Sequence, residues 1–509
     1  MSPGSHADER PLEREIKLAV SDDFVLPPLT DPGGDVFAGP DETLELQATY
    51  FDTADYRLSR AGASVRARDD GWTVKLPVGM DGDALVRGEH AIEGPIDRAE
   101  PPADALDLVR ALTRGSTVQP VAVLRTVRHR VRLRSGDARE VGEVVDDLVE
   151  VRPPGSSDVT ESFREIEVEL PETASDSHRA VVLARLREAG AGAADPTPKI
   201  VRALGPVATA PPDVVVPAVS GPPSIELVVR RAIAASVARL IGHDPGVRLG
   251  NDPEAVHQAR VATRRLRSDL RTFRALVDER WADSLRDELR WLGDVLGAVR
   301  DADVMLERLS SHADELEPID RSAAERLLDD LREQRSRAVT QLLEAFRSPR
   351  YDTVLEHLVL AARRPRLLLR VDDDDDRDVL RGLVRRPWEQ LARAVHALPA
   401  DPTDTALHEI RIKVKRARYA AEAVEPAIGK PARTFARALV ALQDVLGDHQ
   451  DAVVASEWLR RAAGLAPNKE QGFAAGLLAA RERAAIQSGR EAWRAVWNDV
   501  DRKRVRGWL

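Results

Sequence analysis

Leu12-Glu13-Arg14-Glu15-Ile16-Lys17-Leu18 and, far downstream, Arg164-Glu165-Ile166-Glu167-Val168-Glu169-Leu170 both carry a charged residue, mostly glutamate, at three successive alternate positions. Alternate residues of a strand project to one face, so each stretch aims its charges one way. Glutamates held close together repel and seldom persist without a compensating cation. Hard divalent ions such as Mg2+ or Mn2+ take carboxylate oxygens and leave positions open for phosphate oxygens. The two acidic boxes therefore predict a metal site at the two ends of a strand-rich stretch.

Between the boxes runs a series of alternating cations: Arg66 and Arg68, Lys75, Arg87 with Glu89, then Arg125, Arg128, Arg130, Arg132 and Arg134. Rows of Arg and Lys beside metal-holding carboxylates suit a dense polyanion, such as a short polyphosphate. Only eight of the 75 basic residues are lysines, and three of them, Lys17, Lys75 and Lys199, fall in the first 200 residues. In so arginine-biased a chain a retained lysine points to a site that wants a compact ammonium.

A length of 509 residues predicts two to four domains, and 43% hydrophobic residues is enough for real cores. Aromatic residues make up 4%, which leaves few stacking platforms and weighs against single-stranded nucleic acid as a ligand. There is no cysteine, which excludes disulfides, thiolate metal sites and cysteine catalysis. The first residues lack the apolar core of a signal peptide, and no later stretch is apolar enough to span a bilayer, so a soluble cytoplasmic protein with no membrane partner is expected. Neither a P-loop nor a Gly-x-Gly-x-x-Gly fingerprint is present.

Residues 10–204 read as short strands with helical patches, an α+β domain. A Pro/Val/Ala-rich linker is predicted over 205–223, and an all-α domain over 224–509. The helical part repeats internally. His257, Arg260, Arg264, Arg265 and Arg267 recur as His408, Arg411, Lys415, Arg416 and Arg418, and Leu296-Gly297 with Asp301 recurs as Leu446-Gly447 with Asp451. The nearly constant interval argues for duplication, with halves of about 224–370 and 378–509 and a seam at Arg370–Asp378, whose acidic run Asp372–Asp376 reads as a solvated loop. On a helix, His257, Arg260, Arg264, Arg267, Arg271 and Arg274 form a basic ridge beside an apolar stripe. His408, Arg411, Lys415 and Arg418 repeat that ridge before Glu422 and Glu425 end it.

The first domain resembles the CYTH superfamily, the triphosphate tunnel metalloenzymes. The resemblance rests on Glu13-x-Glu15-x-Lys17, Tyr50-Phe-Asp-Thr53, Leu58, Gly62, Arg66-x-Arg68, Lys75, Arg87-x-Glu89, Asp146 and the strand Glu165-Ile-Glu167-Val-Glu169-Leu170. It implies an eight-stranded antiparallel tunnel with one or two Mg2+ or Mn2+ ions held by Glu13, Glu15, Glu167 and Glu169, with Asp146 and Glu165 as further ligands. Glu13, Glu15, Lys17, Glu167 and Glu169 would be the catalytic set. Lys17, Arg66, Arg68, Lys75, Arg87, Arg128 and Lys199 would bind triphosphate. Ala91 departs from the family's Arg-x-Glu-x-Glu pattern, and Pro198 stands where a serine is common. The second domain resembles CHAD, the conserved-histidine α-helical domain, which implies two pseudo-symmetric four-helix bundles around a basic groove. Inorganic polyphosphate would meet His257, Arg260, Arg264, Arg267, Arg271, His408, Arg411, Lys415 and Arg418, and polyphosphate granules would be one place to find such a protein.

Taken alone, Glu13-x-Glu15-x-Lys17 is more often a solvated strand face, and a lone helical histidine more often a packing residue. The second acidic box, the ordered cations and the repetition outweigh those readings. The expected activity is a metal-dependent inorganic triphosphatase carrying a polyphosphate-binding module. The rivals are a hydrolase or cyclase acting on an organic triphosphate such as thiamine triphosphate or ATP, and a non-catalytic polyphosphate scaffold.

Overall fold

The computed structural model describes residues 12–31, 36–96, 100–137, 139–171, 174–219, 224–250, 252–368, 375–466 and 468–509. The predicted domain start at residue 10, the end of the linker at 220–223 and most of the predicted seam, 370–374, lie outside them. The chain divides into two compact units that meet between Asp213 and Val214.

In the first unit, eight strands close into an antiparallel barrel: β1 (Leu12–Ala19), β2 (Phe37–Asp52), β3 (Ser64–Arg68), β4 (Gly71–Asp81), β5 (Ala84–Ile92), β6 (Gln119–Arg134), β7 (Glu140–Arg152) and β8 (Glu161–Glu169). The order around the wall is β1-β5-β4-β3-β2-β6-β7-β8. The alternation of β1 decides what the barrel contains. Glu15 and Lys17 turn inward, while Ile16 and Leu18 turn outward into an apolar layer. The barrel is thus lined with charge and coated with hydrocarbon, the reverse of a barrel with an apolar interior.

Among the described residues, five short helices accompany the barrel: α1 (Arg57–Arg60), α2 (Ala103–Leu108), α3 (Arg110–Thr113), α4 (Asp176–Glu188) and α5 (Lys199–Leu204). Helix α4 lays Val182, Leu183 and Leu186 over Ile16, Leu18, Ile166 and Val168. Helix α5 covers Leu124 and Val149 with Ile200 and Val201. Burial of each such side chain stabilises by about 2 kcal/mol. Asp52 of the Tyr50-Phe-Asp-Thr53 motif is a builder of the fold. Its carboxylate accepts from the backbone N–H groups of Thr53, Leu58 and Ser59 and from the Ser59 hydroxyl, fixing the turn into α1. Past α5 the chain makes a 3-10 turn at Gly205–Val207, and Asp213 is held by Arg60 at 2.8 Å and by Arg114.

The second unit is helical: α6 (Ile225–Leu249), α7 (Pro253–Thr272), α8 (Glu279–Asp314), α9 (Pro318–Phe346), α10 (Pro349–Arg363), α11 (Asp376–His396), α12 (Asp404–Ile428), α13 (Lys430–Leu465), α14 (Lys469–Val500) and α15 (Lys503–Arg506). Helices α6 to α9 and α11 to α14 form the two antiparallel bundles, each packing its helices in sequence. The duplication extends to geometry, since α8 and α13 both run 36 residues. Asp252 caps α7 and Thr403 caps α12, each with a side-chain oxygen on a first-turn N–H. His257 and His408 therefore sit at the same depth in their helices. The predicted apolar stripes are the buried faces: Ala259, Thr263, Leu266 and Leu270 in α7, and Leu407, Ile410, Val414 and Ala417 in α12. No helix among the described residues is long and apolar enough to cross a membrane.

Candidate functional site

Inside the barrel lies a cavity of about 240 Å³ whose lining is almost wholly ionic. Register brings the two acidic boxes together, because β1 pairs with both β5 and β8: Glu15 lies opposite Glu169, Lys17 opposite Glu167, and Glu13 opposite Arg87. Oxygens of Glu13, Glu15 and Glu169 converge to within 4.8 Å of one another. Cations crowd the same space. Lys75 pairs with Glu13, and Arg87 reaches Glu15 at 2.5 Å and Glu13 at 3.5 Å. Lys17, Arg66, Arg68, Arg128, Arg130 and Lys199 complete the basic part of the lining, and Tyr50 is its aromatic member.

Glu169 differs from its neighbours. Among the described residues no cation hydrogen-bonds to it, and burial together with the charges of Glu167 and Glu13 pushes its carboxyl up to about 8. Three carboxylates converging on one point, one of them without a hydrogen-bonded cation, fit a hard divalent cation. Glu167 is handled differently. Burial would raise its pKa, but Lys17, Lys199 and Arg128 hold it well below the usual carboxylate range. Lys17, 2% exposed, is raised well above an ordinary lysine, because the carboxylates of Glu15, Glu167 and Glu165 outweigh the opposing effect of burial.

Three expected ligands lie outside that cluster: Glu167, which lines the cavity but is taken by Lys17, Arg128 and Lys199, and Asp146 and Glu165, which do not line it. Asp146 pairs across the ladder with outward-facing Ile166 and bonds Arg164 at 2.7 and 2.9 Å, on the outer face of the barrel. Its neighbour Asp147 is the inward carboxylate, accepting from Arg128 at 2.7 and 2.8 Å and from Lys199. A shift of one residue along a strand exchanges faces, which corrects the reading of Asp146. Glu165 is fully buried, with Lys17 and Lys199 each 3.4 Å away, and it does not line the cavity. It neutralises lysines and stands apart from the three-carboxylate cluster. Both departures from the family pattern have simple consequences. Ala91 is exposed near the end of β5, leaving Glu89 as that strand's carboxylate in the cavity. Pro198 is the residue before α5, and Lys199, the first residue of that helix, still reaches Asp147.

The second unit holds a cavity of about 420 Å³ between the bundles. His257, Arg260 and Arg264 line it from α7, and His408, Arg411 and Lys415 from α12, so the two repeats face one space. Arg260 lies 3.7 Å from where a Cβ on Gly297 would stand, and Arg411 lies 3.6 Å from the equivalent point on Gly447. The repeated Leu-Gly of α8 and α13 thus makes room for each guanidinium, and the repeated aspartate follows it, Asp301 at 2.6 Å from Arg260 and Asp451 at 3.9 Å from Arg411. His408 Nδ1 is 2.8 Å from Gln450. Burial and the nearby Arg300 hold His257 below the usual imidazole range. Burial, Arg411 and Arg264 push Lys415 down to about 7.

Arg267, Arg271 and Arg418 do not line this cavity. Arg267 neighbours Arg290 and Asp294 of α8, Arg271 neighbours Arg416 of α12, and Arg418 packs on Tyr419 and pairs with Glu422 at 2.9 Å. Arg300 and Arg308 of α8 join the lining instead. Arg300 directly precedes the repeated Asp301 as Gln450 precedes Asp451, so extending the repeat by one residue would have found that pair.

A CYTH domain model matches residues 11–195, and a CHAD domain model matches residues 231–460. An uncharacterized protein of Mycobacterium tuberculosis is 32% identical over 521 residues, covering 97% of both chains. Among solved structures, PptA from Streptomyces chartreusis is 25% identical with a TM-score of 0.47, covering 54% of this chain and 100% of its own. The CHAD domain from the plant Ricinus communis is 26% identical with a TM-score of 0.43, covering 55% and 96%. A putative adenylate cyclase from Bacillus halodurans is 16% identical with a TM-score of 0.25, covering 38% and 97%. With its charged tunnel followed by a duplicated helical bundle, this chain belongs to the family of proteins that join a CYTH domain, the fold of the triphosphate tunnel metalloenzymes, to a CHAD domain.

Proposed function

We propose that the barrel is a divalent-metal-dependent inorganic triphosphatase and that the helical unit binds inorganic polyphosphate. The observation that carries this reading is the cavity's two-sided lining: Glu13, Glu15 and Glu169 converge at one place, and Arg66, Arg68, Lys75, Arg87, Arg128 and Lys199 crowd around them. A ligand that carries its own dense negative charge and shares oxygens with a hard cation satisfies both sides at once. Organic triphosphates are less well served, because Tyr50 is the aromatic residue among the lining and is only 6% exposed. That leaves no open face on which a base or thiazole ring would stack.

Glu13, Glu15 and Glu169 would hold Mg2+ or Mn2+, which when bound supplies charge neutralisation and polarisation of phosphoryl oxygens. The chain's own residues do the rest. Lys75 and Arg87, now paired with Glu13 and Glu15, would turn to phosphate oxygens, while Arg66 and Arg68 grip the chain from β3. Glu167, kept ionised by Lys17, Lys199 and Arg128, is the acceptor to which a water beside the terminal phosphate would donate a hydrogen bond. Attack by that water breaks one phosphoanhydride bond and releases phosphate and pyrophosphate, with no covalent enzyme intermediate. In the second unit, His257, Arg260, Arg264, His408, Arg411 and Lys415 would hold polyphosphate, tethering the enzyme near a source of substrate.

Phosphate release from inorganic triphosphate, ATP, thiamine triphosphate and long polyphosphate, with Mg2+, Mn2+ or chelator, tests the reading. Metal-dependent release from triphosphate, abolished by Glu15→Ala, is the expected result. No turnover of any of the four, alongside tight polyphosphate binding, would make the barrel a scaffold.

A further inference from the structure

The charge pattern of the duplicated ridge breaks where α7 leaves the cavity between the bundles, and beside that break lies a second cavity lined in part by arginine. Past the cavity between the bundles, α7 continues with Arg271 and Arg274. The equivalent positions on α12 are Glu422 and Glu425. Across from each stands a repeated arginine, Arg416 facing Arg271 and Arg265 facing Glu422. In one half the equivalents therefore cancel: Glu422 pairs with Arg265 and Arg418, and Glu425 with Arg433 at 2.6 Å.

In the other half like charges face each other. Arg271 and Arg416, with Arg386 from α11, line a cavity of about 710 Å³ whose other walls include apolar residues, Ser268, Gln390 and the Arg274–Glu279 pair. Among the described residues no carboxylate pairs with Arg271, Arg386 or Arg416, and Nε of Arg416 is buried without a hydrogen-bond partner. Arg274 is already committed to Asp283 at 3.0 Å and to Glu279. One half neutralises this position, whereas the other leaves three guanidinium groups without a carboxylate partner around one cavity, and because Arg271 and Arg386 are exposed and Arg416 half-buried, an anion from outside can reach all three.

We infer that Arg271, Arg386 and Arg416 form a second, one-sided phosphate subsite that takes the continuing end of a polyphosphate chain whose middle lies in the cavity between the bundles. Arg264 lines that first cavity, and Arg271 is seven residues further along the same helix, about 10 Å. A single phosphate cannot touch both, but a chain can. Because the mirror position is closed by Glu422, the chain leaves in one direction only. The inference rests on polyphosphate being the ligand of the helical unit.

The test is the affinity of the full-length protein for long-chain polyphosphate over a range of salt, comparing wild type, the charge-neutral Arg271→Gln/Arg386→Gln pair and Arg260→Gln/Arg411→Gln. The first pair is expected to weaken binding about tenfold and to lower the log–log salt slope by about 1.4, two cations at about 0.7 each by analogy with single-stranded nucleic acid. It should leave the melting temperature and triphosphate turnover unchanged. Unchanged affinity and slope would overturn the subsite while leaving the cavity between the bundles intact, which Arg260→Gln/Arg411→Gln reports separately. Failure of wild type to bind polyphosphate would overturn both readings. Equal weakening towards duplex DNA, with DNA outcompeting polyphosphate, would reassign the surface to nucleic acid. Arg416→Gln serves as a further variant should the double substitution reduce folding.

Discussion

Replacing Glu169 by glutamine should make the metal-free protein more stable and the metal-loaded protein less so. The carboxyl is held at about 8 by burial and by the charges of Glu167 and Glu13, against an ordinary 4.5. A carboxyl raised this way contributes stability that is complete below pH 4.5 and is lost as pH rises through 8, since the folded state must either keep the proton or bear an unpaired buried charge. At about 1.4 kcal/mol per pH unit, the loss is about 3 kcal/mol at pH 7 and about 5 kcal/mol above pH 8. Glu169→Gln removes the group that pays this penalty. In chelator its barrel transition should lie about 3 kcal/mol above wild type at pH 7, and the fall in wild-type stability between pH 5 and 8 should flatten. Adding Mg2+ or Mn2+ should raise the wild-type transition and release a proton below pH 8, whereas the variant should gain little. Denaturant unfolding monitored on the barrel, with and without metal across that pH range, measures both effects. A variant that is less stable than wild type in chelator, or that keeps the full stabilisation by metal, would refute the assignment of Glu169 as the uncompensated ligand.

Asp147→Asn strips the inward partner from Arg128 and Lys199 and should destabilise the barrel by about 3 kcal/mol and raise KM for triphosphate; Asp146→Asn, on the outer face, should leave turnover within about twofold, and steady-state kinetics on the pair checks this. Lys415, held at about 7, must take up a proton to meet polyphosphate above that pH, so affinity should be flat below pH 7 and fall as pH rises above it. Titration calorimetry at several pH values should see that slope vanish in Lys415→Arg. Gly297→Val should push the Arg260 guanidinium from its seat and weaken polyphosphate binding about tenfold, the cost of one charged contact, without altering triphosphate hydrolysis; unchanged binding would detach that glycine from the site.

Much of this protein is decided locally. Alternation in β1 and β8 sorts carboxylates from aliphatic residues whatever the rest of the chain does, and the recurrence of His-x-x-Arg and Leu-Gly announces two copies of one helical unit. What alternation leaves open is which face becomes the inside and which neighbours meet there. Asp146 and Asp147 are adjacent acids in one strand, and only the pairing of β7 with β8 sends the second inward. The five glutamates of the two boxes look equivalent in sequence. Closure of the barrel gives Glu167 to Lys17 and Arg128 and leaves Glu13, Glu15 and Glu169 to converge. Along α7 the basic ridge is continuous in sequence, yet the crossing of α12 divides it, so Arg264 and Arg271 open into different cavities and Arg300 enters from another helix. Side-chain periodicity is a property of a few neighbouring residues, whereas charge compensation depends on what the ladder and the helix crossing bring within a few ångströms, and that is settled only when the chain closes on itself.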